Sequence, residues 1–136
     1  MTYKSLVQRA RAARSYSHSP YSHFRVGAAI LTSNGKVFTG CNIESSSYGL
    51  TVCGERTAIF NAVSEGHNKF KAIAIATDEK GFTSPCGACR QVIMDLAGDI
   101  DFIMSNRKGE MKIFKMSELF PFPFDDAGLR KKNRTK

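Results

Sequence analysis

Pro85-Cys86-Gly87-Ala88-Cys89 sets two thiols three residues apart at the predicted start of a helix, so both can face one metal ion across its first turn. Alone, this pair is open to three readings: metal ligation, redox chemistry, or two buried structural cysteines. Cys53-Gly54-Glu55 shifts the balance, because it supplies a third thiol two residues before a carboxylate at the start of another predicted helix. Free N–H groups and the positive end of the helix dipole favour thiolate over thiol at such positions. Three sulfurs fill three positions of a tetrahedral zinc ion and leave the fourth for water, which distinguishes a catalytic centre from a closed structural one. Glu55, a non-ligand beside that centre, could take and return protons. Its plainer alternative is an acidic first-turn residue that complements the helix dipole.

A scaffold for three thiols must hold two helix starts against each other, and 136 residues are enough for one such domain. At 42% apolar and 24% charged residues the composition is that of an ordinary globular chain, and a domain of this size buries roughly 70% of its unfolded surface without disulfide staples. The longest apolar runs are far short of the ~20 residues that cross a bilayer, and no apolar signal region lies near Met1. The chain is therefore expected to be soluble, unsecreted and cytoplasmic, with no membrane partner. Before Glu44 there is no acidic residue, and this Arg-, Ser- and Ala-rich opening shares the composition of transit peptides. The net charge of +8 suggests nucleic acid, but Arg130, Lys131, Lys132, Arg134 and Lys136 lie in the last seven residues. Residues 1–129 carry fifteen basic against twelve acidic side chains, a balance of +3. The division is a single domain over 1–129 followed by a basic, solvated tail over 130–136.

Periodicity orders the elements. Leu6, Val7, Ala10 and Ala13 recur at helical spacing within Tyr3 to Ser15. Phe24 to Leu31 and Val37 to Asn42 read as strands joined through Ser33-Asn34-Gly35-Lys36, a hairpin turn. A loop at Ser45 to Gly49 leads to a helix over Glu55 to Val63. Lys71 to Thr77 is a short apolar run suited to a buried strand. Cys86 to Leu96 is helical and closed by Gly98; Ile100 to Met104 and Met111 to Phe114 flank a turn, and a short terminal helix follows. Strands interleaved with helices predict a three-layer α/β/α sandwich around a central mixed five-stranded sheet.

Cys53-Gly54-Glu55-Arg56-Thr57-Ala58, followed by Ser84-Pro85-Cys86-Gly87-Ala88-Cys89-Arg90-Gln91, resembles the zinc signature of the small homotetrameric cytidine deaminases. Ser19 to Ala28, Gly40 to Glu44 and Glu118-Leu119-Phe120-Pro121 extend the resemblance over most of residues 3–124. It implies one Zn2+ per chain on Cys53, Cys86 and Cys89, acidification of a water by the metal, and Glu55 as the proton shuttle in converting cytidine or 2'-deoxycytidine to the uridine product and ammonia in pyrimidine salvage. It further implies that backbone groups near Gly54, Ser84 and Cys86 hold the base, that Phe24 lies against the base edge, and that Asn42 and Glu44 bind the ribose hydroxyl groups. Phe124, within Phe122-Pro123-Phe124, matches the aromatic that such proteins send into a neighbouring subunit's site, so the implied partner is a homotetramer with shared sites. Residue chemistry alone would read Phe24 as a core aromatic, Asn42 as a turn residue and Glu44 as a surface charge.

Arg56 has a physical reason of its own: three thiolates on a dication leave a net negative centre, and an adjacent guanidinium returns positive charge, with Gln91 available to orient it. Otherwise it is a helix-surface arginine. Gly54 stands where the family commonly has alanine, a change that leaves the backbone donor in place. Three rival functions remain in view. A closed four-thiolate structural module would recruit Cys41 but leave Glu55, Asn42 and Glu44 unexplained. A polynucleotide cytosine deaminase would suit the charge, but histidine usually stands at the position of Cys53 in such editors, and no aromatic-rich basic stripe lies outside the tail. Deamination of a related nucleoside analogue or antibiotic is the nearest competitor; Asn42 and Glu44 favour a free ribose.

Overall fold

The computed structural model describes residues 1–127 and 129; the basic tail read from the sequence at 130–136 lies outside the described residues. The elements run α1 (Tyr3–Arg14), β1 (Val26–Thr32), β2 (Val37–Cys41), a single 3₁₀ turn at Tyr48–Leu50, α2 (Gly54–Ser64), β3 (Phe70–Thr77), α3 (Gly87–Ala97), β4 (Asp101–Ser105), β5 (Met111–Lys115) and α4 (Met116–Leu119). The strands form one mixed sheet in the order β2-β1-β3-β4-β5, in which only β3 and β4 are parallel. This is the predicted mixed five-stranded sandwich. No helix among the described residues is long and apolar enough to cross a membrane.

The alternation of β3 explains the layers. Side chains point to opposite faces every second residue. Ala72, Ala74 and Ala76 thus pack with Leu6, Val7 and Ala10 of α1, whereas Ile73 and Ile75 join Ala58, Ile59, Cys89 and Ile93 of α2 and α3 on the other face. Small residues on the first face let α1 come close. At Gly27 of β1 a β-carbon would lie 2.9 Å from Arg14 Cα and closer still to the Ala10 carbonyl, so only glycine admits the helix there.

The β1–β2 hairpin closes as its turn residues predict, pairing Leu31 with Val37 and leaving Gly35 at φ +89°. The first strand starts later than periodicity suggests, at Val26 instead of Phe24. The residues before it are held by side chains. The Glu44 carboxylate accepts the Tyr21 and Ser22 N–H groups at 3.0 and 3.1 Å, His23 adopts a left-handed φ of 57°, and the Asn42 amide donates to the Phe24 carbonyl at 2.7 Å. Phe24 is therefore freed from the sheet and stands at the mouth of a cavity.

Candidate active site

Cys53 and Cys86 occupy the N-cap positions of α2 and α3, and neither side chain caps its helix. Both sulfurs are thus left for another partner beside unsatisfied helix N–H groups. Cys53 Sγ lies 3.7 Å from Cys86 Sγ, which lies 3.3 Å from Cys89 Sγ, and the three sulfurs fall within 4.8 Å of one another. Tetrahedral zinc with Zn–S bonds of about 2.3 Å separates its sulfurs by roughly 3.8 Å, so spacing and soft donor chemistry both fit Zn2+. Among the described residues this is the only such cluster, and Cys41 is not part of it. Cys41 instead lines a separate cavity of about 320 Å3 between α1 and α2, so the closed four-thiolate module is not formed.

The Cys89 hydrogen bond, together with the Arg56 guanidinium, holds Cys53 well below the ordinary thiol range, while the same pairing and burial push Cys89 up. Arg56 Nη2 donates to Cys53 Sγ at 3.3 Å, which places positive charge against the sulfurs as the sequence suggests. Its Nε is buried with no hydrogen-bond partner among the described residues. Gln91, expected to orient Arg56, is directed elsewhere: its amide donates to the Phe124 carbonyl at 2.7 Å and accepts the Phe124 N–H at 3.2 Å. Complementarity with a peptide backbone explains this, since a carboxamide matches one donor and one acceptor at once.

Glu55, in the first turn of α2, is only 5% exposed. Burial pushes its carboxyl up to about 7, with the Cys53 charge adding to the rise, so the group can both bind and release a proton near neutrality. It lies on a cavity of about 290 Å3 that also meets Phe24, Asn42, Glu44, Cys53, Gly54, Ser84 and Cys86. Eight of the residues singled out in the sequence thus converge, while Phe124 does not reach this cavity within its own chain. Its side chain is 73% exposed.

Asn42 and Glu44 have structural duties as well. Asn42 Oδ1 accepts the Val26 N–H at 3.0 Å and the Ser17 hydroxyl, and its Nδ2 reaches the Phe24 carbonyl. The Ser22 hydroxyl, with the two backbone donors, holds the Glu44 carboxyl below its usual range. The residues that hold these side chains, Ser17 and Ser22, went unassigned by the sequence reasoning, as did the wall residues Val26, Thr51, Ile75 and Thr83. Ser22 and Val26 lie inside a segment that carries the family resemblance; Thr51, Ile75 and Thr83 have no signal of their own.

An open set of three thiol ligands beside a buried carboxylate, floored by a mixed sheet, has the makings of a hydrolytic metal centre. Residues 1–104 match the family described as the cytidine and deoxycytidylate deaminase zinc-binding region. The chain is 49% identical over 126 residues to a probable cytidine deaminase of Dictyostelium discoideum, covering 90% of this chain and 84% of that protein. A cytidine deaminase of Sporosarcina psychrophila is 43% identical over 130 residues, covering 95% and 96% of the two chains. The crystal structure of cytidine deaminase from Burkholderia pseudomallei superposes with a TM-score of 0.88 at 43% identity, over 91% of this chain and 100% of that one. The chain belongs to the cytidine and deoxycytidylate deaminase family.

Proposed function

We propose that the protein is a zinc-dependent hydrolase that deaminates cytidine and 2'-deoxycytidine to uridine and 2'-deoxyuridine, as part of pyrimidine salvage in the cytoplasm. The observation that carries this reading is the cluster of three thiols spaced for one metal, two of which, Cys53 and Cys86, line the cavity where Glu55 is buried. Cys53, Cys86 and Cys89 would hold one Zn2+ per chain, and the metal would supply Lewis acidity that makes a water nucleophilic near neutral pH.

Glu55 does the proton work. It accepts a proton from the attacking water as the new bond forms at C4 and delivers it to N3, breaking the C4–N3 double bond. It then passes the proton of the new hydroxyl to the departing amino group, so the overall change is cytidine plus water to uridine plus ammonia. The backbone at Gly54, Ser84 and Cys86 borders the base, Phe24 packs on its edge, and Asn42 and Glu44 meet the ribose. Arg56 offsets the charge of the thiolates.

Among the described residues the cavity lining contains two carboxylates, Glu44 and Glu55, and no lysine or arginine. That charge disfavours a phosphorylated ligand and supports a neutral nucleoside over a nucleotide or polynucleotide. Assembly as a homotetramer is part of the proposal. Phe60 and Val63 of α2, Leu96 of α3, Ile113 of β5, and Phe122 and Phe124 are each exposed, large apolar side chains of the kind that subunit contacts cover. The test is loss of the cytidine absorbance on incubation with purified protein, with zinc measured on the same sample. Absence of turnover by fully zinc-loaded protein would exclude cytidine and turn attention to nucleoside analogues.

A further inference from the structure

Arg90 follows Cys89 on the first turn of α3. Its guanidinium bonds to three acceptors in two separate segments of the chain. Nε donates to the Pro85 carbonyl at 3.0 Å, Nη2 to the Ser84 hydroxyl at 2.5 Å, and Nη1 to the Leu119 carbonyl at 2.6 Å. All three partners are neutral, so what Arg90 contributes there is the planar fork of donors that only arginine offers.

The acceptors matter because of where they lie. Among the described residues, the stretch 82–85 makes no backbone-to-backbone hydrogen bond, yet Thr83 and Ser84 form one wall of the catalytic cavity. Leu119 ends α4 and opens the 119–124 segment, whose far end is gripped by the adjacent residue through the paired Gln91–Phe124 bonds. Two consecutive residues of α3 therefore bracket the C-terminal segment, and one of them also reaches the cavity wall. We propose that Arg90 is a positioning residue that fixes the Thr83-Ser84 wall through its bonds to Ser84 and Pro85 and couples it to the 119–124 segment. The part of this concerning substrate rests on the deaminase reading above.

Displacing the wall should weaken substrate binding while leaving the metal ligands and Glu55 in place. The test uses full-length, zinc-loaded wild type, Arg90→Ala and Arg90→Lys. Each is assayed for cytidine kinetics, for zinc per chain, and for amide hydrogen exchange in peptides spanning 82–86 and 119–124. Arg90→Ala is expected to raise KM about tenfold or more, with kcat within about threefold and zinc retained, because the lost contacts hold the wall and the 119–124 segment and none reaches a metal ligand or Glu55. Both peptides should exchange faster while those of α1 and the sheet do not change. Arg90→Lys, which meets one acceptor at a time, should behave like Arg90→Ala.

Unchanged KM, faster exchange in only one of the two peptides, zinc loss in step with activity, or full recovery in Arg90→Lys would each overturn the proposal. If Arg90→Ala does not fold, Arg90→Lys decides by the same readouts. A zinc-loaded wild type inert towards cytidine would refute the deaminase reading alone, and the exchange data would still decide the clamp.

Discussion

Gly40 of β2 and Ala58 of α2 meet backbone to backbone. A β-carbon on Gly40 would lie 2.8 Å from two atoms of Thr57 and closer still to the Ala58 nitrogen, so this contact sets how near the sheet the helix carrying Glu55 can sit. No flexible side-chain end is available to yield. Gly40→Ala should therefore cost about 3 kcal/mol and lower Tm by roughly 10 °C. Gly49→Ala, whose new β-carbon meets nothing within 4 Å, should stay within about 0.5 kcal/mol of wild type. Equal melting curves for the two would show that α2 can shift outward freely.

The layers around this contact are readable from local pattern, and the walls of the cavity are not. Ala72-Ile73-Ala74-Ile75-Ala76 is apolar on both faces because both are covered, and its small and large residues already separate the side of α1 from that of α2 and α3. Asn34-Gly35 marks its turn through backbone geometry alone. The ligand cysteines are visible because their chemistry needs fixed spacing at helix starts. Phe24, in contrast, lies in an apolar run that reads as strand, and what removes it from the sheet is Asn42 and Glu44 bonding backbone about twenty residues away. Gln91 reaches Phe124 over 33 residues in the same manner. Side-chain-to-backbone bonds between distant segments leave no periodicity, so the partner of Gln91 is not legible in the sequence, and the place of Phe24 at the site is legible only through the family resemblance.

Glu55→Gln keeps the shape of the side chain and removes its capacity to carry a proton. The buried position tolerates the neutral amide, given that burial already raises the carboxyl to about 7. Zinc content and Tm should remain close to wild type, while kcat falls by about 10²–10⁴-fold. Near-normal turnover would remove Glu55 from the proton pathway.

Elemental analysis separates the thiols. Cys53→Ala, Cys86→Ala and Cys89→Ala should each lose most of the bound zinc, since a site reduced from three sulfurs to two binds far more weakly. Cys41→Ser should keep one zinc per chain, because Cys41 lies in a different cavity. Zinc loss from a folded Cys41→Ser protein would revive the closed four-thiolate centre.

Stability should respond to pH at both ends through one cluster joining α1 to the sheet. Asp101 accepts hydrogen bonds from Lys115 and, at 2.5 Å, from Tyr3, and these hold its carboxyl below the usual 3.8. A depressed carboxyl contributes stability above its unfolded pKa and loses it as pH falls through the folded one. Burial, aided by Asp101, pushes Tyr3 up from 10.0 to about 12. That contribution is complete below pH 10 and disappears as pH rises towards 12. Denaturant unfolding as a function of pH should show a shallower alkaline decline between those values in Tyr3→Phe, and a shallower acid decline in Asp101→Asn. Curves parallel to wild type would mean that the cluster does not govern either limb.

Phe124 offers the sharpest test of how sites are assembled. Its backbone is fixed by Gln91, yet its ring is 73% exposed and does not touch the cavity of its own chain, an arrangement suited to projection into a neighbouring subunit. Glu55→Ala disables the site of the chain that carries it, whereas Phe124→Ala should disable the site of a neighbour. Phe124→Ala alone must first be shown to stay tetrameric and lose most of its activity. The two variants are then unfolded together, refolded with zinc and assembled as mixed tetramers. Some sites will combine an intact Glu55 with an intact Phe124 from another chain, and activity should exceed the sum of the separately refolded parents. Activity equal to the parental average, or a wild-type protein that sediments as an active monomer, would mean that every site is built from one chain and that Phe124 has no part in it.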